Sequence, residues 1–218
     1  MSIVELTDEE TRKWRAMHPP EVMRRSSTLV HRLIGLISGM AAIFALLEEI
    51  GVIARISRYL WPALLSISGA FLTLFLLLHH GKSNIMLTVK TILVDPQQRQ
   101  HLLMGLMLSI AGMVELLRTR GWLSGRLWGL ILPGALVAIG SMFLMHPQHG
   151  TEEAVRESAR YHSILGIMLA LIGMFRGLKV VSSMPGHLWA GMLLIVAASL
   201  VRYREPEGAY EKEHAGHH

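Results

Sequence analysis

Charged residues crowd into short intervals of this chain, and long apolar runs lie between them. Six runs, at about 29–47, 59–80, 98–117, 127–146, 161–177 and 185–201, each approach the ~20 residues a bilayer-crossing helix needs. The second is the cleanest, with no charge from Tyr59 to Leu78. Asp95 followed by Pro96 reads as an N-cap with proline at the first helical position. Thr151 with Glu152 and Glu153 marks another helix start, and Pro20, Pro147 and Pro185 punctuate the rest. The interval 84–94, NIMLTVKTILV, is too short to span. It sets Ile85, Val89, Ile92 and Leu93 on one face with Lys90 and Thr91 opposite, which suits a helix lying in the interface. The pattern predicts an all-α protein. A polar N-terminal tail covers 1–27, a six-transmembrane-helix bundle covers 28–202, and a mobile, charged, histidine-containing tail covers 203–218. A short interfacial helix joins helices 2 and 3.

Composition narrows the class. Apolar residues make up 51% and charged residues 17%, and the mean hydropathy is +0.41, values of a polytopic membrane protein. The lipid bilayer is the first expected partner, with a bacterial inner (plasma) membrane as the expected location. The N-terminus is polar and mixed in charge, so no cleaved signal is expected. Cysteine is absent, which excludes disulfides, thiolate metal sites and a cysteine nucleophile. No HExxH pattern, phosphate loop or nucleophile constellation occurs, so hydrolysis is not expected. The net charge of +5 comes without aromatic–basic interleaving, and no nucleic-acid partner is expected.

One helix is written twice. Residues 101–113 read HLLMGLMLSIAGM and residues 162–174 read HSILGIMLALIGM. The wider match keeps His101/His162, Gly105/Gly166, Met107/Met168, Gly112/Gly173 and Leu117/Leu178 in register. Histidine with glycine at i+4 recurs as His31/Gly35, His101/Gly105, His162/Gly166 and His187/Gly191. Residues four apart share a helix face. The glycine therefore clears space beside the imidazole, for a neighbouring helix or for the edge of a flat cofactor. Gly105 and Gly166 are the cofactor-binding candidates. The spacing suggests repeated helical hairpins, with helices 3–4 related to helices 5–6.

Threading six spans collects histidines on one membrane face. His31 begins helix 1, His79 and His80 end helix 2, and His101 opens helix 3. His146 and His149 end helix 4, and His162 enters helix 5. Of the membrane-proximal histidines, only His187 falls on the other face. Ionisable groups near lipid are costly and usually find partners. The expectation is a metal-binding cluster of His79, His80, His101, His146, His162, His149 and His31, with Met104 and Met145 assisting. Thioether and imidazole without thiolate suit copper. A facing pair such as His101 with His162, or His79/His80 with His146, suits a b-type haem instead and would make the chain an electron-transfer oxidoreductase. Packing alone would also account for the repeat.

In its many helices, its histidine and methionine and its lack of cysteine, the chain resembles bacterial copper-resistance D membrane proteins. That resemblance implies copper uptake or tolerance at the inner membrane. It is also loosely similar to six-helix, two-haem b-type cytochromes, although those place their haems near opposite faces. A third expectation is an accessory subunit, with a membrane-protein partner or a homo-oligomer. On the face away from the histidines, Glu48, Glu49 and Glu115 accompany Arg55, Arg58, Arg118, Arg120, Arg126, Arg176 and Lys179. Glu115 is expected to pair with Arg118 at i+3. Basic residues on both faces leave the orientation open.

Overall fold

The computed structural model describes residues 6–80, 85–182 and 184–211, apart from the side chains of residues 79 and 80. No strand occurs among the described residues. The elements are α1 (Asp8–Met17), α2 (Pro20–Glu49), α3 (Ala54–His80), α4 (Ile85–Val94), α5 (Pro96–Thr119), α6 (Arg126–Gly129), α7 (Ile131–Leu144), α8 (Glu152–Val181) and α9 (His187–Arg202).

Local signals explain the helix starts. Asp95 caps α5 by accepting a bond from the Gln97 amide at 2.8 Å. Thr151 caps α8 through the Ala154 amide. Thr7 and Glu10 form a reciprocal capping box at α1, so residues 8–17 of the expected N-terminal tail are helical.

Five stretches are long and apolar enough to cross a membrane: α2, α3, α5, residues 126–144 holding α6 and α7, and α8. The expected sixth span is shorter. Helix α9 has 16 residues, about 24 Å at the α-helical rise, against a hydrocarbon core of ~30 Å. It begins only after Pro185 and Gly186, and the chain turns extended at Tyr203. Helix α4 forms as expected, with Ile85, Val89 and Leu93 exposed. Ile92 and Thr91 turn inward together with Leu87 and Thr88.

Interior and exterior are inverted relative to a water-soluble bundle. Large aliphatics such as Leu36, Ile110, Ile167 and Ile195 face outward, whereas Ala41, Ala42, Ala45, Ala111 and Ala190 are buried. Small residues let helix backbones approach where lipid supplies no hydrophobic drive between helices. A Cβ on Gly105 of α5 would stand 2.6 Å from Thr73 Oγ1 and 3.0 Å from the Gly69 carbonyl of α3. On Gly112 it would stand 2.8 Å from the Pro62 carbonyl. The second copy of the helix repeats this. Gly166 of α8 faces the Gly140 carbonyl at 2.6 Å, and Gly173 faces the Pro133 carbonyl at 2.7 Å. Pro62 and Gly69 in α3 therefore correspond to Pro133 and Gly140 in α7. The duplicated unit is the pair α3–α5 and the pair α7–α8. This shifts the expected hairpins by one helix. The remaining pair, α2 with α9, closes the bundle through Gly35 against the Ala197 carbonyl at 2.8 Å.

The segment after α9 is folded, not free. Tyr203, Ala209 and Tyr210 are buried. Gly150 and Ala209 form an antiparallel bridge. The Thr151 amide donates to the Gly208 carbonyl at 3.0 Å, and the Tyr210 amide donates to the His149 carbonyl at 3.3 Å. Residues 203–211 thus make a strap across one end of the bundle. The expected histidine tail beyond it, with His214, His217 and His218, lies outside the described residues.

Candidate functional site: a ring of four imidazoles

Under the strap, four histidines from four segments meet. His31 is on α2, His101 on α5, His146 just past α7, and His162 on α8. Their ring centroids trace a closed circuit: 6.4 Å from His31 to His101, 4.7 Å to His146, 4.9 Å to His162 and 5.9 Å back to His31. The glycine one turn after His31, His101 or His162 holds each helix against its neighbour. At His187 the pattern is empty, because Gly191 has nothing within 4 Å of an added Cβ.

The chain fixes which nitrogen each ring presents. Nδ1 of His31, His101 and His162 lies 2.8, 2.9 and 2.8 Å from the carbonyls of Ser27, Gln97 and Ser158, each one turn earlier. A carbonyl only accepts, so each Nδ1 carries the hydrogen and donates it. Nδ1 of His146 donates to Gln100 Oε1 at 2.7 Å. That leaves Nε2 of each ring with its lone pair, the tautomer found when a second partner orients a ligating histidine. Nε2 of His146 and of His162 is buried and has no hydrogen-bond partner. Burial, and then the neighbouring rings led by His101, hold His146 below the ordinary imidazole pKa. An unpaired buried acceptor costs ~1–3 kcal/mol, and two in one place call for a shared partner.

Imidazoles sharing one ion at Zn–N distances of ~2.0–2.1 Å have ring centres roughly 5 Å apart. Two sides of the circuit match that spacing and two are wider. Among the described residues, no three His, Asp or Glu side chains stand as a preformed cation cage. The donor types fit a metal while the spacing at His31 does not, so occupancy would require His31 to move inward.

The remaining expected site residues separate. His149 lies beside the cluster, its ring partly buried and its carbonyl bound to the strap. Met104 is 3% exposed and shares a cavity wall with His31 and His101. Met145 is 69% exposed and turns away. His79 and His80 are at the end of α3 nearest the cluster, and their side chains lie outside the described residues. Gly105 and Gly166 serve helix contacts, with backbone carbonyls where a flat cofactor edge would have to enter.

Several participants escaped sequence reasoning. Gln100 orients His146. Tyr203 lies against His31 with centroids 4.3 Å apart, and its hydroxyl donates to Glu205 at 3.0 Å. Burial and the Glu205 carboxylate raise the Tyr203 pKa. Glu205 also accepts from Ser27, and its own amide donates to Thr28 at 3.0 Å. Buried Tyr210 lines the gap between α2 and α5 together with Ser27, His31, Gln97 and His101.

The other end of the bundle is held by ions. Buried Glu115 pairs with Arg118 at 2.7 Å, as expected from their spacing, and also with Arg176 of α8. The Arg176 guanidinium lies against both Trp61 and Trp189, 5.6 and 5.3 Å from their centroids, which are themselves 5.3 Å apart. Trp61 donates to Glu48 at 2.6 Å, and Lys179 pairs with Glu49.

No family model, curated protein or solved structure matches this chain. Its site is read from its own chemistry.

Proposed function

We propose that this is an integral membrane metal-binding protein, a six-helix bundle in which α9 is a short sixth span and α4 lies in the interface. The bacterial inner membrane is the location that goes with this reading. The metal is held by Nε2 of His31, His101, His146 and His162 near one membrane face, and the function is copper binding or transfer, for resistance or delivery. The observation that carries it is the pair of buried, unpartnered Nε2 atoms inside a circuit of rings whose Nδ1 hydrogens are all committed elsewhere. Copper is placed first because imidazole suits it and because Cu²⁺ heads the divalent affinity order. With Met145 turned away, thioether support comes from Met104 alone.

The test is elemental analysis and a visible spectrum of the protein purified from copper-supplemented cells. Bound copper is expected, lost in the double variant His101→Ala/His162→Ala while the helical circular dichroism is kept. A Soret band with a reduced α-band would replace copper by haem b and make the protein an electron carrier. A colourless protein without metal would sink both readings and leave an accessory subunit of a membrane complex.

A further inference from the structure

Directly beneath the imidazoles the interior of the bundle is unfilled. A cavity of about 100 Å³ lies on the central axis, walled by all six long helices α2, α3, α5, α7, α8 and α9, with His31 and His101 at its upper end. The rest of the wall is aliphatic or aromatic, apart from Ser38 and the thioether of Met104. Ser38 is already bonded to Ser68 at 3.1 Å. The Nδ1 atoms of both histidines are committed to their own helices.

We propose that this cavity is a binding site for a small apolar molecule of the size of dioxygen. A buried water needs two to four polar partners, and below the two imidazole edges the wall offers none that is free. Apolar cavities of comparable size, about 150 Å³ in an engineered case, stay dry and take up xenon or benzene. At two-thirds of that volume, a xenon atom or a diatomic gas still fits. The supply is at hand, since apolar gases concentrate in the hydrocarbon that surrounds the bundle. His31 and His101 belong to both the cavity wall and the imidazole circuit, so an occupant lies next to whatever those rings hold. That consequence rests on the proposed metal site. The occupancy does not.

The experiment uses the full chain, metal-free, in detergent micelles, with side-chain methyl NMR under xenon and then under dioxygen pressure. Leu136, Ile139 and Leu165 line the cavity. Leu132 and Ile172 are equally buried and lie off its wall. Xenon should shift the first three methyl sets saturably, and dioxygen should relax them several-fold faster than the other two. Val196→Phe, which fills the space, should abolish both effects, and Leu136→Ala, which enlarges it, should strengthen them. Should Val196→Phe fail to fold, Leu136→Ala still decides. Shifts that rise linearly without saturation, or equal relaxation of all five residues, would overturn the proposal. Saturable xenon binding in a protein that takes up no copper would keep the cavity and remove the metal, and the reverse outcome would do the opposite.

Discussion

Glu115 and Arg176 occupy the same position in the two copies of the duplicated helix, 61 residues apart, and they pair with each other. At the other end, His101 and His162 are likewise equivalent and belong to one circuit. Like positions meeting along a shared axis is what two related hairpins packed face to face produce. One end of that axis carries opposite charges and the other carries imidazoles. Glu115→Ala leaves Arg176 buried against two tryptophans without its counter-charge. A loss of ~3–5 kcal/mol is expected, read as thermal unfolding in detergent. The exchange Glu115→Arg with Arg176→Glu should recover part of it. An unchanged midpoint for Glu115→Ala would show the pair to be incidental.

Glycines in the same sequence pattern should behave differently. Gly166→Ala drives a methyl into the Gly140 carbonyl and should cost ~1–3 kcal/mol by overpacking, loosening α7 from α8. Gly191→Ala meets open space in the middle of α9 and should stabilise by ~0.5–1 kcal/mol. Unfolding midpoints that move in the same direction would contradict this assignment of the two sites.

Gln100→Leu removes the acceptor for His146 Nδ1 while leaving all four rings in place. Loss of such an orienting partner weakens metal affinity 10–100-fold. Competition with a chelator of known affinity measures it. Gln100→Glu, which also accepts, should restore most of the affinity.

The strap is the cover. Glu205→Ala removes the acceptor shared by Ser27 and Tyr203, and Tyr210 then loses its companion anchor. Opening should become easier by at least ~1.4 kcal/mol, roughly tenfold in population. Hydrogen exchange at the Tyr210 amide, and the rate at which chelator extracts metal, should both rise by about that factor. If neither rises, the strap does not control entry.

Acid should release α1. The Lys90 ammonium bonds to Glu10 at 2.8 Å and holds that carboxyl below its ordinary value of 4.5, with the Thr7 amide assisting. A depressed folded pKa means that the stabilisation is present above 4.5 and disappears as the pH falls through the folded value. Protection factors of the amides in residues 8–17, taken against the intrinsic exchange rate at each pH, should therefore fall below pH 4.5 and stay level just above it. In Lys90→Met the main cause is gone, and the acid sensitivity should shrink.

Apolar run length and capping chemistry were enough to place the long helices, because both are local. Asp95–Pro96, Thr151 and the Glu115–Arg118 spacing all behaved as their chemistry requires. The gathering of His31, His101, His146 and His162 was also legible, since threading the spans decides which ends share a face. Partner choice between helices was not. The sequence repeat starts at His101 and at His162, which suggests hairpins opening there. The contacts that matter run backward from Gly105 to Gly69 and from Gly166 to Gly140, and glycine carries no mark of its partner. The strap was invisible for a related reason. Residues 203–211 are charged and rich in turn formers, and they are held by single bonds to Thr28, Ser27 and His149, which no periodicity announces. Thr7 and Glu10 were readable as a capping box.

The strap also has a bearing on how the protein is made. It follows α9, so its anchors are synthesised after all six long helices, while the first imidazole it covers belongs to the first of them. Until Tyr210 arrives, the upper end of the bundle stands open to the aqueous phase. Any loading from that end would then precede sealing, with the cargo seated before residues 203–211 fold down. A C-terminal fusion that pulls on this stretch would yield an inserted protein that never closes.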